Sequence, residues 1–152
     1  MVKFIGEYTA KIDDKGRMVF PSAFKAQMGG DCGKFVIKKD LYADCLEMFT
    51  YEEWEKTSEE VKSRLNFFNP EDERFWRGYM SGRAIVEPNE KLSRILVPKK
   101  LLESIGIAKE AVFFGSDHKI EIWAKEKYDA QKMSDDDFAA LAKSILGTRR
   151  EG

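Results

Sequence analysis

The stretch EYTAKIDDKGRMVFPSAF, residues 7–24, decides the fold. Glu7 to Ile12 reads as a strand, and Asp13-Asp14-Lys15-Gly16 as a tight turn in which Gly16 takes positive φ at no steric cost. Arg17 to Phe20 resumes the strand, and Pro21 fits the first position of a short helix, where its missing N–H is not needed. Phe24 and Met28 share one helical face, and Gly29-Gly30 ends the helix. The stretch RAIVEPNEKLSRILVPKKL, residues 83–101, has the same grammar. Arg17-Met18-Val19-Phe20-Pro21 lies over Arg94-Ile95-Leu96-Val97-Pro98, an arginine, three strand residues and a helix-starting proline. The chain therefore reads as a tandem duplication, with its function expected at the two turns that precede those arginines.

Outward from the first copy, Phe35-Val36-Ile37 and Leu46 to Phe49 read as two short strands. Thr50-Tyr51-Glu52-Glu53 has capping-box spacing and starts a helix with Trp54, Val61 and Leu65 on one stripe. Asn69-Pro70 opens another helix, with Glu71, Asp72 and Glu73 against the positive end of its dipole. Phe75, Trp76, Tyr79 and Met80 make that helix aromatic nearly all round, which predicts burial on more than one side. In the second copy, Val112-Phe113-Phe114 and Ile120 to Trp123 match the two strands of the first, and Glu47 and Trp54 align with Glu121 and Tyr128. Ser134 caps a last helix whose Phe138, Leu141, Ala142 and Ile145 line one side. The expected organisation is a first hairpin repeat over 5–51, linking helices over 52–80, a second repeat over 81–124 and a helical segment over 125–152.

With 152 residues and 43% hydrophobic content the chain is long and apolar enough for a real core. Its net charge of −1 is not the footprint of a strongly basic nucleic-acid binder, so such a function has to draw on local charge or multivalency. Cys32 and Cys45 form no CxxC pair, and Met1 to Gly6 leads straight into a folded pattern without a secretory signal. Reduced thiols and a cytoplasmic location are the expectation. No apolar run approaches the roughly 20 residues that a membrane span needs.

The chemistry of catalysis is missing. His118 is the only histidine and sits in a polar Ser-Asp-His-Lys turn with no partner to tune it. One histidine and two separated cysteines do not make a zinc set, and neither GxxxxGK[ST] nor GxGxxG occurs. The carboxylates cluster at helix starts and on helix faces, where solvation and the dipole account for them. No catalytic residue, cofactor, metal or small-molecule substrate is expected. The hairpins remain. A tip carrying Lys15 and Arg17 can enter a major groove, which admits a two-stranded ribbon. An arginine can chelate guanine or clamp a phosphate, with Asp13 holding the guanidinium. One DxxxR is a weak pattern, equally at home on an ordinary surface hairpin with an ion pair worth little. Two copies, each leading into proline and a short helix, favour the functional reading.

Taken with Gly6-Glu7-Tyr8, Glu53-Trp54, the aromatic segment 74–84 and Ile120-Glu121-Ile122-Trp123, these motifs make nearly the whole chain resemble the MraZ family of bacterial transcriptional regulators. The resemblance implies an α+β fold similar to AbrB-type proteins. Two swapped hairpins from one chain would interlock as a pseudo-twofold β-barrel with peripheral helices. It further implies a ring-like homo-oligomer, with an octamer as one ring size, bound to repeated double-stranded promoter boxes upstream of the division and cell-wall gene cluster. A nucleoid-associated place in the cytoplasm goes with that. Carried onto this sequence, the DNA-binding motif is Asp13 to Arg17, with Lys15 and Gly16 inside it. Its second copy aligns with Glu90-Lys91-Leu92-Ser93-Arg94, in which Glu90 replaces the aspartate and Ser93 the turn glycine. The first hairpin is therefore expected to contact DNA more than the second. The alternatives are an AbrB-like antitoxin or interaction protein, and a structural ring protein with no DNA role.

Overall fold

Strand pairing crosses between the two copies. A computed structural model describes residues 2–30, 33–89, 91–107 and 109–147. The elements of the first copy are β1 (Phe4–Lys11), β2 (Arg17–Val19), α1 (Ser22–Gln27), β3 (Phe35–Lys39) and β4 (Leu46–Thr50). Helices α2 (Tyr51–Ser63) and α3 (Pro70–Met80) follow. The second copy supplies β5 (Ala84–Val86), β6 (Arg94–Leu96), α4 (Lys99–Ser104), β7 (Glu110–Asp117) and β8 (Ile120–Ala124). The chain then runs through α5 (Lys125–Gln131), α6 (Asp135–Ala142) and a π-helical turn, Lys143–Gly147. β1 pairs with β7 and β5 with β3, so each copy lends its first strand to the other. β2 and β6 pair only with each other, as a separate antiparallel ribbon.

The result is α+β, with two small sheets and peripheral helices, as in AbrB-like proteins. It is not a closed barrel. A six-stranded antiparallel sheet runs β1-β7-β8-β4-β3-β5, with β1 and β5 at its edges, and the ribbon is not hydrogen-bonded into it. Both faces of the sheet are covered. On one, Met18, Phe20, Ile95 and Val97 pack with Phe35, Ile37, Phe113 and Ile122, closed off by Phe24 of α1 and Leu101 and Leu102 of α4. On the other, Val36 and Phe49 meet Trp54 and Tyr79, and Val112 and Trp123 meet Tyr128.

This packing moves the internal alignment by one residue. Phe35 and Ile37 face the central core, as do Ala111 and Phe113, while Val36 and Val112 face the helices. Val36 thus corresponds to Val112, not Phe113. A slip of one residue exchanges the faces of a strand, and only burial decides between the two registers. At the centre the alignment of Glu47 with Glu121 matches the register, since the two residues pair directly across β4 and β8.

The helix signals hold where a cap can be read. Thr50 Oγ1 accepts from Glu53 N–H, Asn69 Oδ1 from Glu71 N–H and Ser134 Oγ from Asp137 N–H. Pro21 and Pro98 are the residues just before α1 and α4, one place earlier than expected. The aromatic helix α3 differs more. Only Tyr79 is buried on it, and Phe75 and Met80 remain exposed. α6 has no buried residue, so its apolar side does not pack into this chain's core.

Candidate nucleic-acid interface

The turn at residues 13–16 is built by one side chain. Asp13 Oδ1 accepts from Lys15 N–H (3.0 Å) and Arg17 N–H (2.8 Å), an Asx-type closure that fixes the strand exit. Asp13 N–H donates to Arg17 O and Gly16 N–H to Asp13 O. Asp13 Oδ2 meanwhile accepts from Arg17 Nε at 2.8 Å. The Arg17 N–H bond holds the Asp13 carboxyl below its usual range; burial is the next largest effect and opposes it, and the Arg17 side chain and the Lys15 N–H add to the lowering. The pair is 41% and 32% exposed at its side chains, so its net stability is small. Its effect is geometric. The bridge uses Nε and leaves both Nη groups of the guanidinium fork for a bidentate acceptor.

Gly16 sits at φ +86°, and a Cβ there would meet Val97 O at 2.9 Å. The glycine is needed on both counts, for the left-handed backbone and for the close approach of the other copy. Gly16 O accepts from Val97 N–H at 3.1 Å, which ties the first turn to the end of β6.

The second turn repeats this scheme from a different residue. Asn89 Oδ1 accepts from Leu92 N–H (2.9 Å) and Arg94 N–H (3.3 Å), and Asn89 N–H donates to Arg94 O. The hydrogen bonds thus align Asn89, rather than Glu90, with Asp13, and the second turn is one residue longer. Glu90 itself lies outside the described residues. Ser93 takes the place of Gly16 at φ +51°, and its carbonyl accepts from Phe20 N–H at 2.7 Å, the counterpart of the Gly16–Val97 bond. The turn is therefore of the same general design, with a serine in the strained position. An amide does not supply the negative charge that orients Arg17, and among the described residues Arg94 has no carboxylate partner.

The two arginines lie on one surface. β2 and β6 pair with Arg17 opposite Leu96 and Val19 opposite Arg94. Met18 and Ile95 point into the core, so the arginines share the outward face, diagonal to one another, about 7–8 Å apart between side-chain bases. They stand at the first strand residue behind each turn. Lys15 and Lys91 occupy the turns and are exposed. Lys11, Asp13, Arg17, Val19 and Arg94 line a shallow depression of about 310 Å³.

A second charged cluster lies at the sheet centre. Lys119 Nζ is 3.1 Å from Asp40 and 3.6 Å from both Glu47 and Glu121. Arg83, 3.6 Å from Glu47, also lies against the stacked rings of Trp54 and Tyr79. Asp40, Cys45 and Glu121 bring ligand atoms within 4.8 Å of one another, but Lys119 already supplies the positive charge there. Burial, then the nearby carboxylates, pushes the Cys45 thiol up, so it stays protonated. His118 is exposed. Cys32 lies outside the described residues. Among the described residues no helix is long and apolar enough to cross a membrane.

A duplicated α+β chain whose copies exchange strands and meet in an arginine-bearing ribbon defines the class, that of AbrB-like regulators. The family model described as "MraZ protein, putative antitoxin-like" matches residues 3–78 and 91–147. The chain is similar to Transcriptional regulator MraZ of Bacteroides fragilis, 35% identical over 151 residues, covering 99% of this chain and 95% of that protein. With the protein of the same name from Christiangramia forsetii it shares 38% identity over 149 residues (97% and 95% covered). With that of Clostridium acetobutylicum it shares 35% over 142 residues (93% and 96% covered). The chain belongs to the MraZ family. It is a family of regulators, not of enzymes.

Proposed function

We propose that the protein is a sequence-specific transcriptional regulator that binds double-stranded DNA through the outward face of the β2–β6 ribbon and the two turns flanking it. The observation that carries this reading is the Asp13–Arg17 lock, which presents a pre-oriented arginine fork on the same face as Arg94. Arg17 and Arg94 make base or phosphate contacts, Asp13 orients Arg17, and Gly16 permits the turn. Lys15, Lys91 and Lys11 add phosphate contacts. Glu90, which follows Asn89 in the sequence, is the carboxylate proposed to orient Arg94.

The cationic groups on the ribbon face of one chain are few, so affinity comes from repetition. A ring-like homo-oligomer, of which an octamer is one form, meets repeated promoter boxes upstream of the division and cell-wall genes, and later contacts become intramolecular, a gain of roughly 10²–10⁴. The apolar side chains left exposed on α3 and α6, among them Phe75, Met80, Phe138 and Leu141, support self-association. The hairpin repeats act as the DNA-facing units and the C-terminal segment as part of the assembly, in the nucleoid.

The test is a fluorescence-anisotropy titration against duplex DNA from upstream of the protein's own gene, beside scrambled DNA of equal length, at two salt concentrations. Tighter, salt-sensitive binding to the native duplex supports the reading. Equal binding to both by folded, assembled protein overturns it and turns attention to a protein partner.

A further inference from the structure

We infer that Val19 and Leu96 read thymine methyl groups in the major groove. This rests on the reading that the ribbon binds duplex DNA, and it adds a specificity element the arginines do not provide.

Val19 and Leu96 are 53% and 58% exposed at the centre of a face otherwise made of Arg17 and Arg94. A single exposed apolar residue is ordinary. These two are the same position in the two copies, each two residues beyond its arginine, so the duplication has kept an apolar side chain outward twice. Cross-strand register sets the four side chains as a square, arginines on one diagonal and apolar residues on the other. Two side chains are too small a patch to hold a protein, which takes a contiguous area of several hundred Å². They do match a base edge. In the major groove thymine alone presents a methyl group, while guanine presents the O6 and N7 pair that an arginine fork chelates. A ribbon lying in that groove therefore places an apolar contact beside each guanine-reading arginine. The arginines, Lys11 and Lys15 supply the attraction to the phosphates that brings the face into the groove.

The ribbon is short, and its two turns lie at opposite ends, since Val97 N–H donates to Gly16 O and Phe20 N–H to Ser93 O.

The experiment compares the native upstream duplex with the same duplex synthesised with uracil for every thymine, which removes only the methyl groups. Wild-type protein and the Val19→Ala/Leu96→Ala variant are titrated against both, and thermal melts show that the variant is folded. Wild type is expected to lose roughly fourfold in affinity per methyl contact on the uracil duplex. The double variant is expected to bind the thymine duplex more weakly and to lose nothing further on the uracil duplex. If wild type binds both duplexes equally, the inference fails and the DNA-binding reading stands. If the double variant still discriminates thymine from uracil, Val19 and Leu96 are not the readers and the inference also fails. If wild type binds neither duplex better than scrambled DNA, the functional reading itself falls and takes this inference with it.

Discussion

Asp13 and Asn89 have the same shape, and they separate the two halves of the molecule. Both close a turn through Oδ1, and only Asp13 has a second carboxylate oxygen to hold an arginine. Asp13→Asn should therefore keep the fold and the turn while freeing Arg17, and specific DNA affinity should fall several-fold with only a small drop in melting temperature. A large drop in melting temperature would make the ion pair structural instead. The reverse change, Asn89→Asp, should lock Arg94 and tighten binding; weaker binding would show that Arg94 acts better unlocked. The Asp13 carboxyl is depressed in the folded state. Its contribution is thus present above the ordinary carboxylate range and lost as pH falls through the folded value. Binding measured between pH 6 and 8 should carry no titration from this residue. Gly16→Ala meets both a positive φ and the Val97 carbonyl, and should cost roughly 1–3 kcal/mol in denaturant melts. Ser93→Gly should cost nothing or stabilise, because it relieves strain at φ +51°.

At the scale of elements, the duplication was legible because arginine, strand and proline recur in order. The strands, the three side-chain caps and the chain position of each turn follow from turn chemistry and local periodicity, whereas the strands flanking each turn do not pair with one another. What was not legible is long-range. No local signal says that β1 pairs with β7, that β2 and β6 pair with each other alone, or that the strands stop short of a barrel. The one-residue slip between Phe35 and Val112 is of the same kind, since both readings place apolar residues on both faces of a doubly covered strand. The Asn89 turn was misaligned because the arginines and prolines match without a gap, whereas the extra residue lies inside the turn. The aromatic content of α3 suggested burial on more than one side, yet a helix on the outside of a sheet buries only the side toward it. The ribbon itself gives a test at this scale. Met18 and Ile95 face each other across the join of the two copies and are fully buried. Ile95→Ala should cost about 2–5 kcal/mol in denaturant unfolding. A loss below 1 kcal/mol would mean that the ribbon does not hold the copies together.

At the scale of the whole molecule, the two halves meet where Glu47 faces Glu121 across β4 and β8. Like charges directly opposite are destabilising, and Lys119, which lies 3.6 Å from each, offsets them. Removing one partner of such a buried group is costly, so Lys119→Met should destabilise by about 3–5 kcal/mol near neutral pH. Burial, first of all, already raises the Glu47 carboxyl, and losing Lys119 raises it further. A group raised in the folded state takes up its proton more readily there than when unfolded, so the variant should recover part of its lost stability as pH falls toward the ordinary carboxylate range. A deficit unchanged from pH 7 to pH 5 would contradict this account of the centre.

The central claim is that an Asp13-oriented Arg17 on the ribbon face carries specific DNA binding. The most direct measurement is an anisotropy titration of Arg17→Ala beside wild type on the native upstream duplex, with oligomeric state and melting temperature checked on the same samples. The account predicts that the variant stays folded and assembled and loses the preference for native over scrambled DNA. A single bidentate base contact is worth roughly 1–3 kcal/mol, and the loss is multiplied across the copies engaged. Arg94→Ala should lose less. Unchanged preference in a folded, assembled Arg17→Ala variant would contradict the account.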